Sequence, residues 1–206
     1  DILRFWWLFP SMWWMTRLGL DGKALGVEDF SAWLPTQAEP RCLPLGKDDH
    51  GLITYTSGST GLPKGADRTH ASLIAQHLAI RSHWRDQPDD VDCPCFPVMV
   101  LHNLCCGIST VLPRVDLASP AHYDAADMLA YLKRHEVTRL AAAPAFMQHL
   151  CDHALTHDLQ LPGIRAVAIG GSTLPARLIH RLPAVFPNAR IMGVYGSTEA
   201  EPIADV

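Results

Sequence analysis

The sequence predicts an α/β domain in which a mostly parallel sheet is flanked by helices. From residue 51 onward, short β-prone runs alternate with helical patterns, and glycines follow several of the runs. The 206 residues are 48% hydrophobic and 18% charged, which is typical of a globular chain with one substantial core. Ligands of such sheets bind beyond the carboxyl ends of the strands, so functional residues are expected there.

The first predicted elements enclose a glycine-rich turn. The run 52–56 is rich in β-branched and aromatic residues and predicts a strand. A helix over 69–83 follows, because apolar residues recur there at helical spacing and Thr69 is a suitable N-cap.

The later elements alternate in the same way. Asp124 is a suitable N-cap for a second helix, whose last turn carries cations that suit the helix dipole. Pro144 favours the first turn of another helix, and Gly170 ends a β-prone run. After the helix that Asp124 caps, the predicted order is strand 137–143, helix 144–153, strand 164–169, helix 175–182 and strand 190–195.

Residues 1–50 form an aromatic-rich apolar segment and a connector, which precede the core at 51–206. The stretch 2–15 holds four of the six tryptophans but is too short to span a bilayer and lacks the features of a signal peptide. We interpret it as a buried docking segment, with peripheral contact at a membrane interface as the alternative. A cytoplasmic location is therefore expected.

Charge and cysteine content exclude several classes of protein. A net charge of −4 gives no electrostatic case for a nucleic-acid partner. The six cysteines are not spaced as a disulfide framework, so we expect reduced thiols. Cys93-Pro94-Cys95 and Cys105-Cys106 are closer pairs than structural zinc sites use, and buried thiols are favoured over a metal site. The repeat of His149, His153 and His157 likewise favours a polar helix face over a metal site.

A glycine-rich loop gives the strongest functional signal. The run Tyr55-Thr56-Ser57-Gly58-Ser59-Thr60-Gly61-Leu62-Pro63-Lys64-Gly65 follows a predicted strand. Its glycines allow backbone amides to face an anion, its hydroxyls add donors and Lys64 adds a cation, as a phosphate site requires. A Walker loop would need Ser or Thr after the lysine, where Gly65 stands.

The loop resembles the signature of the adenylate-forming (AMP-binding) superfamily, which includes acyl-CoA synthetases, peptide-synthetase adenylation domains and luciferases. Three further runs resemble its other signatures, in the family's order. They are Phe96-Pro97-Val98-Met99-Val100-Leu101-His102-Asn103, Gly170-Gly171-Ser172 and Tyr195-Gly196-Ser197-Thr198-Glu199. The resemblance implies part of the large N-terminal domain of such an enzyme.

The resemblance also implies a role for each signature. Residues 56–64 would hold the β- and γ-phosphates of ATP, with Lys64 as the catalytic cation, and Glu199 would be the Mg²⁺ ligand. Residues 170–172 would lie against adenine. Tyr195 would stack on the base, with Gly196 beside it, and Thr198 would contact the α-phosphate. His102 would border the pocket for the carboxylate. We further expect residues 141–143 to line the acyl pocket, because their small side chains leave room for an extended chain.

The implied reaction joins a carboxylic acid, expected to be a fatty acid, to AMP and releases pyrophosphate, with CoA as the expected acceptor. A carrier protein and β-lactone formation are alternatives, as is a non-catalytic nucleotide- or acyl-binding module. The run from Thr198 to Pro202 resembles long-chain ligases, including those of olefin biosynthesis. Ala66-Asp67-Arg68 departs from the family, which is usually apolar there. The family's later ribose-binding aspartate and C-terminal lysine have no match, so we expect the 206 residues alone to be inactive.

Overall fold

The computed structural model describes residues 17–19, 27–29, 43–56, 64–116, 119–198 and 200–205. The chain divides into two compact units, Asp1–Pro44 and Leu45–Val206. In the first unit, strands β1 (Arg17–Gly19) and β2 (Val27–Asp29) pair in parallel. The tryptophan-rich segment 2–15 lies outside the described residues, so its predicted docking or interfacial role stays a prediction.

The second unit contains a hairpin and a six-stranded sheet. The hairpin joins β3 (His50–Thr56) to the antiparallel β4 (Lys64–Thr69). The sheet strands are β5 (Val91–Pro94), β6 (Ser109–Thr110), β7 (Arg139–Ala142), β8 (Ala166–Gly170), β9 (Arg190–Ser197) and β10 (Ala200–Asp205). They lie in the order β10-β9-β8-β7-β5-β6, and every pair is parallel except β9 with β10. The predicted α/β class with a mostly parallel sheet is confirmed.

Helices connect and cover these strands, and both predicted caps are confirmed. They are α1 (His70–Trp84), α2 (Pro97–Cys106), α3 (Ala125–Arg134), α4 (Pro144–Thr156), α5 (Ala176–Ile179) and α6 (Leu182–Val185). The hydroxyl of Thr69 accepts from the amide of Ser72 at 3.3 Å, and the carboxylate of Asp124 accepts from the amide of Asp127 at 3.0 Å. No helix in the described parts of the chain has the length and apolar character that crossing a bilayer requires.

Some predicted elements were wrong or missing. The single helix predicted over 175–182 is instead the two short helices α5 and α6. Pro183 has no amide hydrogen to donate to the preceding turn, so it fits the start of a new helix and not the continuation of the first. Helix α2 was not predicted, although its signals are present. Pro97 opens it, and Gly107 ends it at a φ of 69°.

Side chains of different size occupy the two faces of the central strands. On β8, Val167 and Ile169 join the larger core with Phe146 and Leu150 of α4. The alternate residues Ala166 and Ala168 point to the other face, where the core includes Trp84 of α1 and Met99 of α2. The alanines fill little volume, so space is left between the sheet and these two helices.

A buried ionic network anchors the start of the sheet. Arg139 of β7 is fully buried, and its guanidinium lies 2.5 Å from Asp86, 3.3 Å from Asp90 and 3.1 Å from Asp92. The guanidinium carbon lies over the ring of Trp84, 4.7 Å from the ring centroid. One cation therefore joins two carboxylates of the connection after α1 and one of β5 to the central strand β7.

Candidate functional site

The hairpin brings the two ends of the glycine-rich loop together. Thr56, the last residue of β3, is in register with Lys64, the first residue of β4. The Lys64 side chain is exposed, as a cation that meets a bound anion must be. The loop residues Ser57, Gly58, Ser59, Thr60 and Gly61 lie outside the described residues, so their predicted phosphate contacts stay predictions.

The double-glycine turn ends β8 and faces its neighbour β9. A Cβ on Gly170 would stand 2.6 Å from the carbonyl oxygen of Val194, closer than two such atoms can approach. Gly171 has a φ of 84°, in the left-handed region that side chains disfavour. The sequence therefore needs glycine at both positions for β8 and β9 to pair closely where the strands end.

A cavity of about 400 Å³ adjoins this turn. Its walls bring together the two segments predicted to hold the nucleotide base, namely Gly171 and Ser172 on one side and Tyr195 and Gly196 on the other. The Tyr195 ring is 68% exposed, so its face is available to a stacking partner. In the sequence these residues were connected only by the order of the family's signatures. The structure places them around one cavity.

We expect Gly170→Ala to lower the free energy of unfolding of the complete protein by about 1–3 kcal/mol, because the new Cβ must push the Val194 carbonyl away. Chemical denaturation measures the loss. Gly163→Ala is the matched control, since a Cβ at Gly163 meets no atom within 4 Å. Equal stability of the two variants would contradict the close approach of β8 and β9.

An apolar cavity of about 120 Å³ lies under α1 and α2, on the alanine face of the sheet. Its walls include Ile80 and Trp84 of α1, Val98 and Met99 of α2, and Ala141 and Ala168 of the strands. Gly171, Val194 and Gly196 line this cavity and the cavity beside Tyr195 as well. The two cavities therefore adjoin at the carboxyl ends of β8 and β9.

Only part of the predicted acid pocket lines this apolar cavity. Among the described residues that line it, Ala141 is present but Ala142 and Ala143 are absent. Ala142 faces the opposite core, because successive strand residues point to opposite faces, and Ala143 is the N-cap of α4, beyond the end of the strand. His102 does not line it either. It follows Val98 and Met99 by about one helical turn, roughly 5 Å further from the strand ends.

His102 instead belongs to a polar cluster between α1 and α2. The side chain is 2% exposed, and its Nδ1 lies 3.1 Å from Nδ1 of His77. Its Nε2 lies 3.3 Å from the carboxylate of Asp86 and 3.8 Å from Sγ of Cys106. Burial lowers the pKa of His102, and the neighbouring Asp86 opposes that shift. The structure thus gives His102 hydrogen-bonding neighbours away from the cavity.

The cysteines divide by burial. Cys93, Cys95 and Cys151 are buried free thiols, and burial raises the pKa of Cys95 to about 12. Cys105 is exposed, contrary to the expectation of a buried thiol. Among the residues that the structure describes, the one group with three potential metal ligands is His77, His102 and Cys106, within 4.8 Å of one another. The histidines of α4 form no such group, and His153 and His157 stack on each other.

Arg68 ties the hairpin to the turn after β9. Its side chain is 7% exposed, and Nη1 donates to the backbone carbonyl of Thr198 at 3.1 Å. Its Nη2 donates to Oε1 of Gln76 on α1 at 2.7 Å. Arg68, which stands where the family is usually apolar, is thus buried and links the hairpin to Thr198, the predicted contact of the α-phosphate. Glu199 lies outside the described residues.

The fold is an α/β domain in which two cavities, one of them apolar, adjoin at the carboxyl ends of the strands. The sequence model of the AMP-binding enzyme family matches residues 16–206. The chain belongs to that family.

Curated relatives and solved structures agree with this assignment. An olefin β-lactone synthetase of Xanthomonas campestris pv. campestris is 33% identical over 160 residues, which are 77% of this chain and 28% of that protein. A feruloyl-CoA synthase of Amycolatopsis is 30% identical, over 80% of this chain and 33% of its own length. The O-succinylbenzoate CoA synthetase of Bacillus subtilis in complex with AMP superposes with a TM-score of 0.65 at 22% identity, over 78% of this chain and 33% of its own. The chain thus spans about a third of these proteins.

Proposed function

We propose that the complete protein activates a carboxylic acid by adenylation, in which the carboxylate attacks the α-phosphorus of ATP and pyrophosphate leaves. The observation that carries the proposal is the meeting of two cavities at Gly171, Val194 and Gly196. One has the family's base-binding segments and the other is apolar. An acid and a nucleotide bound in them would have their reacting ends at the shared wall, where proximity lowers the barrier.

Because both reactants are anions, the side chains must neutralise charge and position the carboxylate and ATP for the reaction. In this proposal the loop 56–64 holds the β- and γ-phosphates, and Lys64 supplies a cation. Thr198 orients the α-phosphate through its hydroxyl, and Tyr195 stacks on adenine. Glu199 is the proposed ligand of Mg²⁺, which when bound would neutralise phosphate charge.

The proposed acid is a fatty acid, since aliphatic and aromatic side chains line the apolar cavity. The relatives include CoA ligases, which supports CoA as the acceptor of the acyl group. A second outcome is favoured by the olefin β-lactone synthetase relative: where the acid has a 3-hydroxyl group, that oxygen attacks the carbonyl carbon of the acyl-AMP, AMP leaves and a β-lactone forms. A carrier protein as acceptor remains part of the proposal. We also propose a cytoplasmic site of action, with the tryptophan-rich segment 2–15 as a buried docking segment and peripheral membrane contact as the alternative.

The test is acid-dependent release of pyrophosphate by the complete protein with ATP, Mg²⁺ and a panel of fatty, 3-hydroxy fatty, aryl and amino acids. We expect release with fatty acids, and mass spectrometry of the 3-hydroxy fatty acid reactions with and without CoA then separates a thioester from a β-lactone product. If ATP binds but no acid raises pyrophosphate release above background, the chain belongs to a binding module and the proposed activity is wrong.

A further inference from the structure

Side chains that can bind a metal ion meet between α1 and α2. His77 belongs to α1, and Asp86 lies in the connection that follows it. His102 and Cys106 belong to α2, and their four-residue spacing places both on one face of that helix. One ligand atom each of His77, His102 and Cys106 lies within 4.8 Å of the others, and the carboxylate of Asp86 adjoins this group. The fold, and not a local sequence motif, brings these residues together.

The distances between three of the ligand atoms match those of a tetrahedral metal site. Oδ2 of Asp86 lies 3.3 Å from Nε2 of His102 and 3.6 Å from Sγ of Cys106, and Nε2 and Sγ are 3.8 Å apart. Zinc bonds of about 2.0 Å to nitrogen or oxygen and about 2.3 Å to sulfur hold tetrahedral ligand atoms roughly 3.3–3.6 Å apart. A cation at the centre of this triangle would lie about 2.1 Å from all three atoms.

The other contacts of these side chains leave the three atoms free to face a cation. Arg139 binds Oδ1 of Asp86 at 2.5 Å, so Oδ2 is the oxygen directed at His102 and Cys106. At the opposite edge of the His102 ring, Nδ1 lies 3.1 Å from Nδ1 of His77. A proton on His102 Nδ1 can be donated to His77, and Nε2 then keeps the lone pair that a metal ligand needs.

We propose that His102, Cys106 and Asp86 bind one Zn²⁺ ion, and that His77 is a positioning residue that orients the His102 ring. Thiolate and imidazole ligands select zinc over Mg²⁺ and Ca²⁺, which prefer oxygen. The thiol proton of Cys106 leaves to solvent as the sulfur bonds the ion. Cys106 is partly exposed and the Asp86 side chain is 15% exposed, so the ion can enter from solvent and water can complete its coordination.

The bound ion would fasten both helices to the sheet. His102 and Cys106 would anchor α2, and Asp86 would anchor the end of α1 while it pairs with Arg139 of β7. None of the proposed ligands is among the described residues that line the two cavities. The zinc site is therefore independent of the proposed adenylation, and its tests need no substrate.

Cobalt substitution tests the ligand set. The complete protein, purified without an affinity tag and stripped of metal with a chelator, is titrated with Co²⁺ in the absence of ATP. We expect one equivalent of Co²⁺ to give the visible bands of tetrahedral cobalt together with a thiolate-to-cobalt charge-transfer band, and Zn²⁺ to abolish both. A titration that gives no charge-transfer band would overturn the proposal.

Two serine variants identify the thiolate. Cys106→Ser should abolish the charge-transfer band and weaken Zn²⁺ binding by at least about 10-fold. Cys105→Ser is the matched control, because Cys105 is the preceding residue of α2 but is exposed and outside the ligand group, and it should keep the band and the affinity. A band that persists in Cys106→Ser would show that other cysteines bind the metal and would contradict the proposal.

Alkylation of the wild-type protein gives a measurement that needs no folded variant. Zn²⁺ should slow the reaction of Cys106 with iodoacetamide by at least about 10-fold, because the metal-bound thiolate is withdrawn from reaction, and should leave Cys105 unchanged. Mass spectrometry of the digested protein reports both sites. Equal rates at Cys106 with and without Zn²⁺ would contradict the proposed site.

His77 variants test the positioning role separately. His77→Ala should weaken Zn²⁺ binding by about 10- to 100-fold while the charge-transfer band keeps its wavelength, since the ligands themselves remain. His77→Gln should restore the affinity to within about 3-fold of the wild type, because its amide oxygen can accept the same proton from His102. Wild-type affinity in His77→Ala, or no recovery in His77→Gln, would show that His77 does not orient the His102 ring.

Discussion

Replacing Lys64 with alanine is expected to lower acid-dependent pyrophosphate release by about 10- to 1,000-fold, the range for loss of one preorganised charge contact. Lys64 is exposed at the start of β4, directly opposite the residue where the glycine-rich loop begins. Its ammonium group would meet phosphate oxygens whose negative charge grows as pyrophosphate leaves. Glu199→Gln should cause a loss of the same order, together with a higher Mg²⁺ requirement, because the proposed metal ligand loses its charge.

Lys133→Ala serves as the control for Lys64→Ala, because Lys133 is an exposed lysine in the last turn of α3, away from the strand ends. It should retain activity within about 2-fold, since a surface charge at a helix end contributes only tenths of a kcal/mol. Steady-state rates at saturating and limiting ATP distinguish weaker binding from a slower step. If both Lys64→Ala and Glu199→Gln keep the wild-type rate, the proposed roles of these residues in the phosphate site are wrong.

Replacing Arg139 with leucine is expected to cost about 3–5 kcal/mol of unfolding free energy, because it leaves buried carboxylates without their cation. Asp86, Asp90 and Asp92 all contact this side chain, which has no exposed surface. Burial already raises the pKa of Asp92 above its usual value, and Arg139 opposes that rise. Without the arginine, the folded state binds protons more readily than the unfolded state.

The pH dependence of the Arg139→Leu deficit provides a second measurement. A group whose pKa is raised in the folded state loses stability as pH increases through that pKa, so the deficit should be larger at pH 8 than at pH 5. Arg165→Leu is the control. Arg165 also pairs with Asp90 but is 32% exposed, and its loss should cost about 1 kcal/mol. Denaturant titrations at both pH values report these differences, and a small, pH-independent loss in Arg139→Leu would contradict the charge argument.

The sequence predicted the parts of the site that depend on local chemistry. The strands before the glycine-rich loop and before Gly170 were predictable because β-prone residues meet glycines there. The turn after Gly170 lies beside Tyr195 because β8 pairs with β9. The sequence implied that pairing only through the order of the family's signatures. The caps at Thr69 and Asp124 follow from short-range hydrogen bonds and were confirmed.

Contacts between distant residues were beyond the sequence. Arg68 and Asp67 are neighbours in one strand and point to opposite faces, but nothing local indicates that the arginine is the buried one. The partners of Arg68 lie 8 and 130 positions away. The resemblance assigned His102 to the carboxylate pocket, and its contacts between α1 and α2 were not foreseen because α2 was not predicted. Arg139, the first residue of a short strand, likewise gave no sign of the three carboxylates that surround it.

The shared wall between the two cavities divides the domain into parts that can change independently and parts that cannot. Residues of β9 such as Val194 and Gly196 line both cavities, so under the proposed function a mutation there would affect the binding of both reactants at once. Ile80 and Trp84 of α1 and Val98 of α2 line only the apolar cavity. Under the same proposal, new acid preferences would arise by drift or by directed evolution on the two helices, while the strand ends would keep the proposed nucleotide contacts.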